Sequence, residues 1–140
     1  MNEKERRSIC NYDKELMLKE SKNTLSVLSN PYLSRGHCLV IPKQHYNNIL
    51  EVLDEILLEL IIEVRELERI LLENLKVQGV DIRQNYRPFL RNNPNTHFHF
   101  HLIPRELYDD LWKISMVHQR YIYKNLDKDL LEELINLLTE

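Results

Sequence analysis

"THFHFHLIPR", residues 96–105, alternates three histidines, His97, His99 and His101, with Phe98, Phe100 and Leu102. Along a β-strand, side chains two residues apart point to the same face. The segment therefore predicts a strand with one imidazole face and one apolar face. The apolar face needs a cover, and the sequence supplies one upstream. Leu50, Leu53, Leu57, Leu60, Val64, Leu67, Leu71 and Leu75 recur at spacings of three and four within residues 49–77. Glu51, Glu55, Glu59, Glu63, Glu66 and Glu73 fill much of the remaining surface. This pattern predicts a long amphipathic helix that lies across the sheet and ends at Gly79.

The other elements are read outward from this pair. "NTLSVLSN" (23–30) alternates as a strand, Asn30-Pro31 breaks it, and "GHCLVIP" (36–42) reads as its antiparallel partner across a longer loop. "VDIRQNY" (80–86) is a third strand and the histidine segment a fourth. Residues 3–20 leave a short charged helix and an irregular arm equally open. Within 106–125 a helical stretch is expected, and "DKDLLEELINLL" (127–138) predicts a last amphipathic helix capped by Asp127. The expected fold is α+β: an antiparallel sheet with one long amphipathic helix packed on a face, plus C-terminal helices. A single domain is expected over 1–140, with its core at about 24–105 and a helical extension at about 106–140.

A chain of 140 residues, 43% apolar and 29% charged, is large enough for a core without disulfide staples. A formal net charge of -3 gives no electrostatic reason to expect binding to nucleic acid or to an anionic membrane. The charged N-terminal stretch has no apolar signal region, and "ILEVLDEILLELII" (49–62) is too charged to span a bilayer. Cys10 and Cys38 form no CxxC pair and read as free thiols of a reducing compartment. The expected location is cytoplasmic.

Three readings compete for the imidazole face. One is a polar strand surface that is histidine by chance. A second is a metal site, since imidazole suits Zn²⁺. However, the outer two Cα atoms of the triad lie ~13 Å apart at strand rise, so all three rings cannot easily meet on one ion. No Cys or carboxylate stands at a diagnostic spacing to complete a set. The third is covalent catalysis: a neutral imidazole is nucleophilic near pH 7 once one nitrogen is held as a donor and the other presents its lone pair. Flanked on both sides, His99 is the natural nucleophile.

"HFHFHLIPR" resembles the histidine-triad motif of the HIT superfamily of nucleotide hydrolases and transferases. "NPYLSRGHCLVIPKQH" (30–45) is similar to the family's Gly-His strand ending in Ile-Pro-Lys-x-His. The resemblance covers roughly residues 24–105. It implies that His99 attacks the α-phosphate of a nucleotide conjugate, forming a nucleotidyl-histidine intermediate that water or another acceptor resolves. The conjugate would be a dinucleoside polyphosphate or a nucleoside phosphoramidate. By the same resemblance His101 hydrogen-bonds the phosphate or leaving oxygen, His97 fixes the geometry, and His37 supports the site from behind. Asn85 matches the family's phosphate-contacting amide, and Ser29 or Asn30 falls near its ribose-contacting position.

The chain departs from the family at the loop "YRPFLRNNPN" (86–95). It lacks glycine, and Asn93 stands where the family has Gln. Arg87 and Arg91 add cations suited to a polyphosphate, and the loop is similar to that of HIT-like proteins described as diadenosine tetraphosphate hydrolases. His45 reads as a surface histidine at a strand end. No metal or other cofactor is needed for this chemistry; a divalent ion would come only as the counter-ion of a polyphosphate. The resemblance also implies a homodimer whose sheets join across a two-fold axis. Leu111, Trp112, Tyr121 and Tyr123 in the tail would then cover a partner or, as the plainer expectation, the chain's own core. The alternative to an enzyme is a nucleotide-binding or scaffolding protein that keeps the fold but turns over slowly.

Overall fold

The computed structural model describes residues 14–90, 97–116 and 122–139. One compact unit ends at Leu107 and a second begins at Tyr108. In the first, β1 (Met17–Glu20), β2 (Thr24–Leu28), β3 (Cys38–Pro42), β4 (Gly79–Arg83) and β5 (Phe100–Arg105) form a sheet in the order β1-β2-β3-β5-β4. Every neighbouring pair is antiparallel. The helix α1 (Asp54–Asn74) packs on one face of the sheet. Ile56, Leu60, Val64, Leu67 and Leu71 of α1 share a core with Cys38, Val40, Phe98, Phe100 and Leu102. The apolar positions of the histidine segment do lie beneath the helix.

Three expectations need correction. The helix is shorter than its leucine periodicity suggested, because Asn48 caps a separate 3₁₀ turn, Ile49–Glu51, by accepting from the Leu50 N–H. Leu50 and Leu53 therefore fall outside the stripe, 90% and 56% exposed, and Ile56 opens it instead. At the other end Lys76, with φ of 55°, adopts the left-handed conformation after the helix, while Gly79 begins β4. Residues 17–20, expected as helix or arm, form edge strand β1.

The acidic residues are not all solvated either. Glu63 is buried and accepts from Lys19 Nζ (3.0 Å) and Ser21 Oγ (3.2 Å), while Glu59 accepts from both the backbone and side-chain nitrogens of Asn23. The sheet is wider than the apolar stripe, so carboxylates at the stripe's margin tie α1 to the first hairpin.

The β2–β3 loop carries Gly36 at φ 91°, a conformation costly for any residue with a Cβ. A Cβ there would lie 2.6 Å from Leu75 Cδ1 and 3.3 Å from Pro104 Cγ. The absence of a side chain lets the chain pass between helix end and β5, which sets His37 against the triad.

In the second unit, Trp112–Met116 forms one short π-helical turn, and the Trp112 ring meets Tyr108 edge-on at 5.9 Å. The helix α2 (Lys128–Leu138) starts as expected, with Asp127 accepting from the Leu130 N–H at 2.8 Å. Tyr123 is exposed, and Tyr121 lies outside the described residues. Among the described residues, no helix is long and apolar enough to cross a membrane.

Candidate active site

The regular pairing of β5 begins only at Phe100, so His97 and His99 precede the strand rather than continuing it. This modifies the expected single imidazole face. His99 and His101 meet ring to ring, at a centroid distance of 4.6 Å. His97 is instead buried under the turn that follows β3, where its Nε2 lies 2.9 Å from the Pro42 carbonyl and its Nδ1 accepts from the Tyr46 N–H at 3.3 Å. The β3–β5 ladder stops at Val40–Phe100, which leaves the Pro42 carbonyl for a side-chain donor.

The hydrogen bonds assign every tautomer, since a backbone N–H can only donate and a carbonyl can only accept. Leu33 N–H donates to His37 Nδ1 (3.1 Å), so the His37 proton sits on Nε2. That proton points at His101 Nδ1 (3.0 Å), which places the His101 proton on Nε2. His101 Nε2–H then donates to His99 Nε2 (3.0 Å). His99 Nδ1–H donates to the carbonyl of His97 (2.8 Å). The chain runs in one direction and ends on the lone pair of His99 Nε2, which accepts from His101. This is the orientation a nucleophilic imidazole needs.

The electrostatics favour the neutral form of His37, His97 and His101. Burial lowers His97 to about 4, aided by the neighbouring His45 and His99. Burial also lowers His101 to about 4, with His99, His37 and Arg83 adding to it. His37 is lowered too, first by burial and then by Arg83 and His99. The nearby Cys38 thiol is pushed up to about 11 by burial, so it is no competing nucleophile.

His97, His99 and His101 open into a cleft of about 440 Å³, further lined by Asn47, Asn85, Tyr86, Arg87, Pro88, Leu90 and Phe98. Asn85 and Arg87 thus share the cleft with the histidines, and Asn85 lies just beyond β4 rather than on it. His37 stands behind His101, outside the lining. Ser29 and Asn30 are not lining residues; the Ser29 hydroxyl donates to the Pro31 carbonyl at 2.6 Å. Asn93 and Arg91 lie outside the described residues. Asn47 and Tyr86 were missed in the sequence. Nothing in their spacing marks them, and only the fold brings Asn47 to the triad. His45 is not a plain surface residue, for it stacks on His97 at 5.0 Å with the rings 19° apart. Among the described residues, no group of three or more His, Cys, Asp or Glu is arranged to hold a metal ion.

Comparison with known proteins agrees with this geometry. The family model described as the HIT domain matches residues 12–108, well over half of the chain. An uncharacterized HIT-like protein of Saccharolobus solfataricus is 29% identical over 109 residues, covering 75% of this chain and 78% of the relative. The crystal structure of a hypothetical histidine triad nucleotide-binding protein from Sulfolobus tokodaii is 26% identical, with a TM-score of 0.63 over 94% of this chain and 87% of that one. A HIT family protein from Bacillus anthracis superposes with a TM-score of 0.70 at 22% identity, over 95% and 92% of the two chains. Matched by that model over most of its length and carrying the histidine triad, the protein belongs to the HIT family.

Proposed function

We propose that the protein is a nucleotidyl hydrolase or transferase acting on the α-phosphate of a nucleotide conjugate, with His99 as nucleophile. The observation that carries this reading is the directed hydrogen-bond chain that leaves a lone pair on His99 Nε2 beside an open cleft. The structural likeness to a histidine triad nucleotide-binding protein supports a nucleotide as ligand.

In the first step His99 Nε2 forms a bond to the α-phosphorus, and the bond from phosphorus to the leaving oxygen or nitrogen breaks. The leaving group takes the electron pair, and a leaving nitrogen also takes a proton from solvent and departs as the amine. Positive charge develops on the His99 ring, where Nδ1–H already faces the His97 carbonyl oxygen. His101 Nε2–H turns from His99 to a substrate oxygen, stabilising the charge that grows there. Asn85 and Arg87 contact the phosphates. In the second step water attacks phosphorus, the P–N bond breaks, the nucleoside monophosphate leaves and one proton passes to solvent.

Chromatography of reactions with diadenosine tetraphosphate and with adenosine phosphoramidate tests the reading. Release of AMP from at least one of them is expected. Nucleotide binding with no product from either would favour a binding or scaffolding role instead.

We also propose a homodimer. Leu58, Ile61, Ile62 and Leu72 lie exposed on the side of α1 away from the core, and β4 is an edge strand of the sheet among the described residues. Analytical ultracentrifugation should give twice the 17.0 kDa chain mass; a monomer at micromolar concentration would refute this.

A further inference from the structure

The turn after β3 places a histidine-amide pair beside the cleft. His45 Nε2 lies 2.9 Å from Asn47 Oδ1, and because an amide oxygen only accepts, His45 is the donor. The His45 ring lies flat on His97, and its Nδ1 is buried without a hydrogen-bond partner among the described residues. Asn47 is fixed at its backbone as well, where its N–H donates to Glu51 Oε2 at 2.8 Å. The carboxamide is therefore oriented with its oxygen toward His45 and its NH₂ edge away from it. Asn47 lines the same cleft as His99, Asn85 and Arg87.

We propose that Asn47 is a binding residue of this cleft, donating from its NH₂ group to an acceptor on the bound nucleotide conjugate, and that His45 is a positioning residue that sets the amide's orientation. The acceptor is a phosphate oxygen beyond the reacting phosphate or an acceptor atom of the nucleoside. His45 ties this contact to the catalytic group, since the ring that orients Asn47 also packs on His97. The inference rests on the nucleotidyl-transfer reading above.

The test compares Asn47→Ala, His45→Phe and His45→Gln with the wild type, using diadenosine tetraphosphate and adenosine phosphoramidate. His45→Phe keeps a flat ring on His97 but has no donor, whereas His45→Gln restores an N–H donor. Loss of one hydrogen bond to a substrate acceptor raises KM about tenfold. We expect that rise in Asn47→Ala and His45→Phe, with the loss falling on KM rather than kcat, and partial recovery in His45→Gln. A rise confined to the tetraphosphate identifies a polyphosphate oxygen as the acceptor; an equal rise with both substrates identifies the nucleoside. Asn47 is exposed, so its substitution reads binding even if His45→Phe lowers the melting temperature. Wild-type KM in Asn47→Ala, or a loss on kcat alone, overturns the proposal while leaving the general function intact. A wild type that neither binds nor converts either compound overturns both.

Discussion

His99→Ala turns over nucleotide conjugates at least about 10⁴-fold more slowly than the wild type, if His99 is the nucleophile. Removing a covalent catalyst costs on this scale because the remaining groups only bind and polarise the phosphate. The structure makes the variant informative. His99 is half-buried, and its two side-chain hydrogen bonds go to the His97 carbonyl and to His101, so its loss leaves the core of Phe98, Phe100 and Leu102 in place. The melting temperature should change little while kcat collapses. A His99→Ala protein that keeps a tenth or more of the activity would assign the chemistry to another group.

Acidification has the second large effect, and it acts on stability. An unfolded histidine titrates near 6.5, whereas His97 and His101 in the fold are lowered to about 4. Between these values the unfolded chain binds more protons than the folded one, so stability is fully present above about pH 6.5 and is lost as pH falls toward 4. One pKa unit corresponds to about 1.4 kcal/mol, which gives about 3 kcal/mol for the buried His97. His101 contributes less, because its exposed edge lets water screen the charge. Urea unfolding at pH 7.5 and pH 4.5 brackets this window above most carboxylate titration. The midpoint should drop clearly at the lower pH, and His97→Gln should flatten the difference. Equal midpoints would mean that the rings accept protons without breaking the hydrogen-bond chain.

How much of this was legible beforehand follows from what periodicity can report. The four strands and the long helix each carry a local signal: alternation for β2, β3, β4 and the histidine segment, and a three-four repeat for α1. β1 carries none, because Met17–Glu20 is an edge strand with little burial, paired through its backbone. The start of α1 was misplaced because Leu50 and Leu53 continue the leucine repeat, while the interruption lies in a cap by Asn48 that the repeat does not encode.

The site divides in the same way. Spacing pointed to the pairing of His99 with His101, although β5 begins only at Phe100 and the same spacing does not hold for His97. His37 is 64 positions away from His101, and only the family resemblance connected them. Asn47 escaped both kinds of reading, and His45, although it closes the Ile-Pro-Lys-x-His stretch, was read as a surface histidine. Their roles come from a ring stack and a hydrogen bond made after β3 has turned, and no pattern within the segment signals either contact.

The most direct test of the central claim is mass spectrometry of the protein mixed briefly with diadenosine tetraphosphate or adenosine phosphoramidate, then quenched in alkali, which spares phosphohistidine. A mass increase of one nucleotidyl group, mapped to His99 and absent from His99→Ala and His99→Gly, is the predicted result. Turnover without any adduct at His99, or an adduct that persists in both variants, would contradict it.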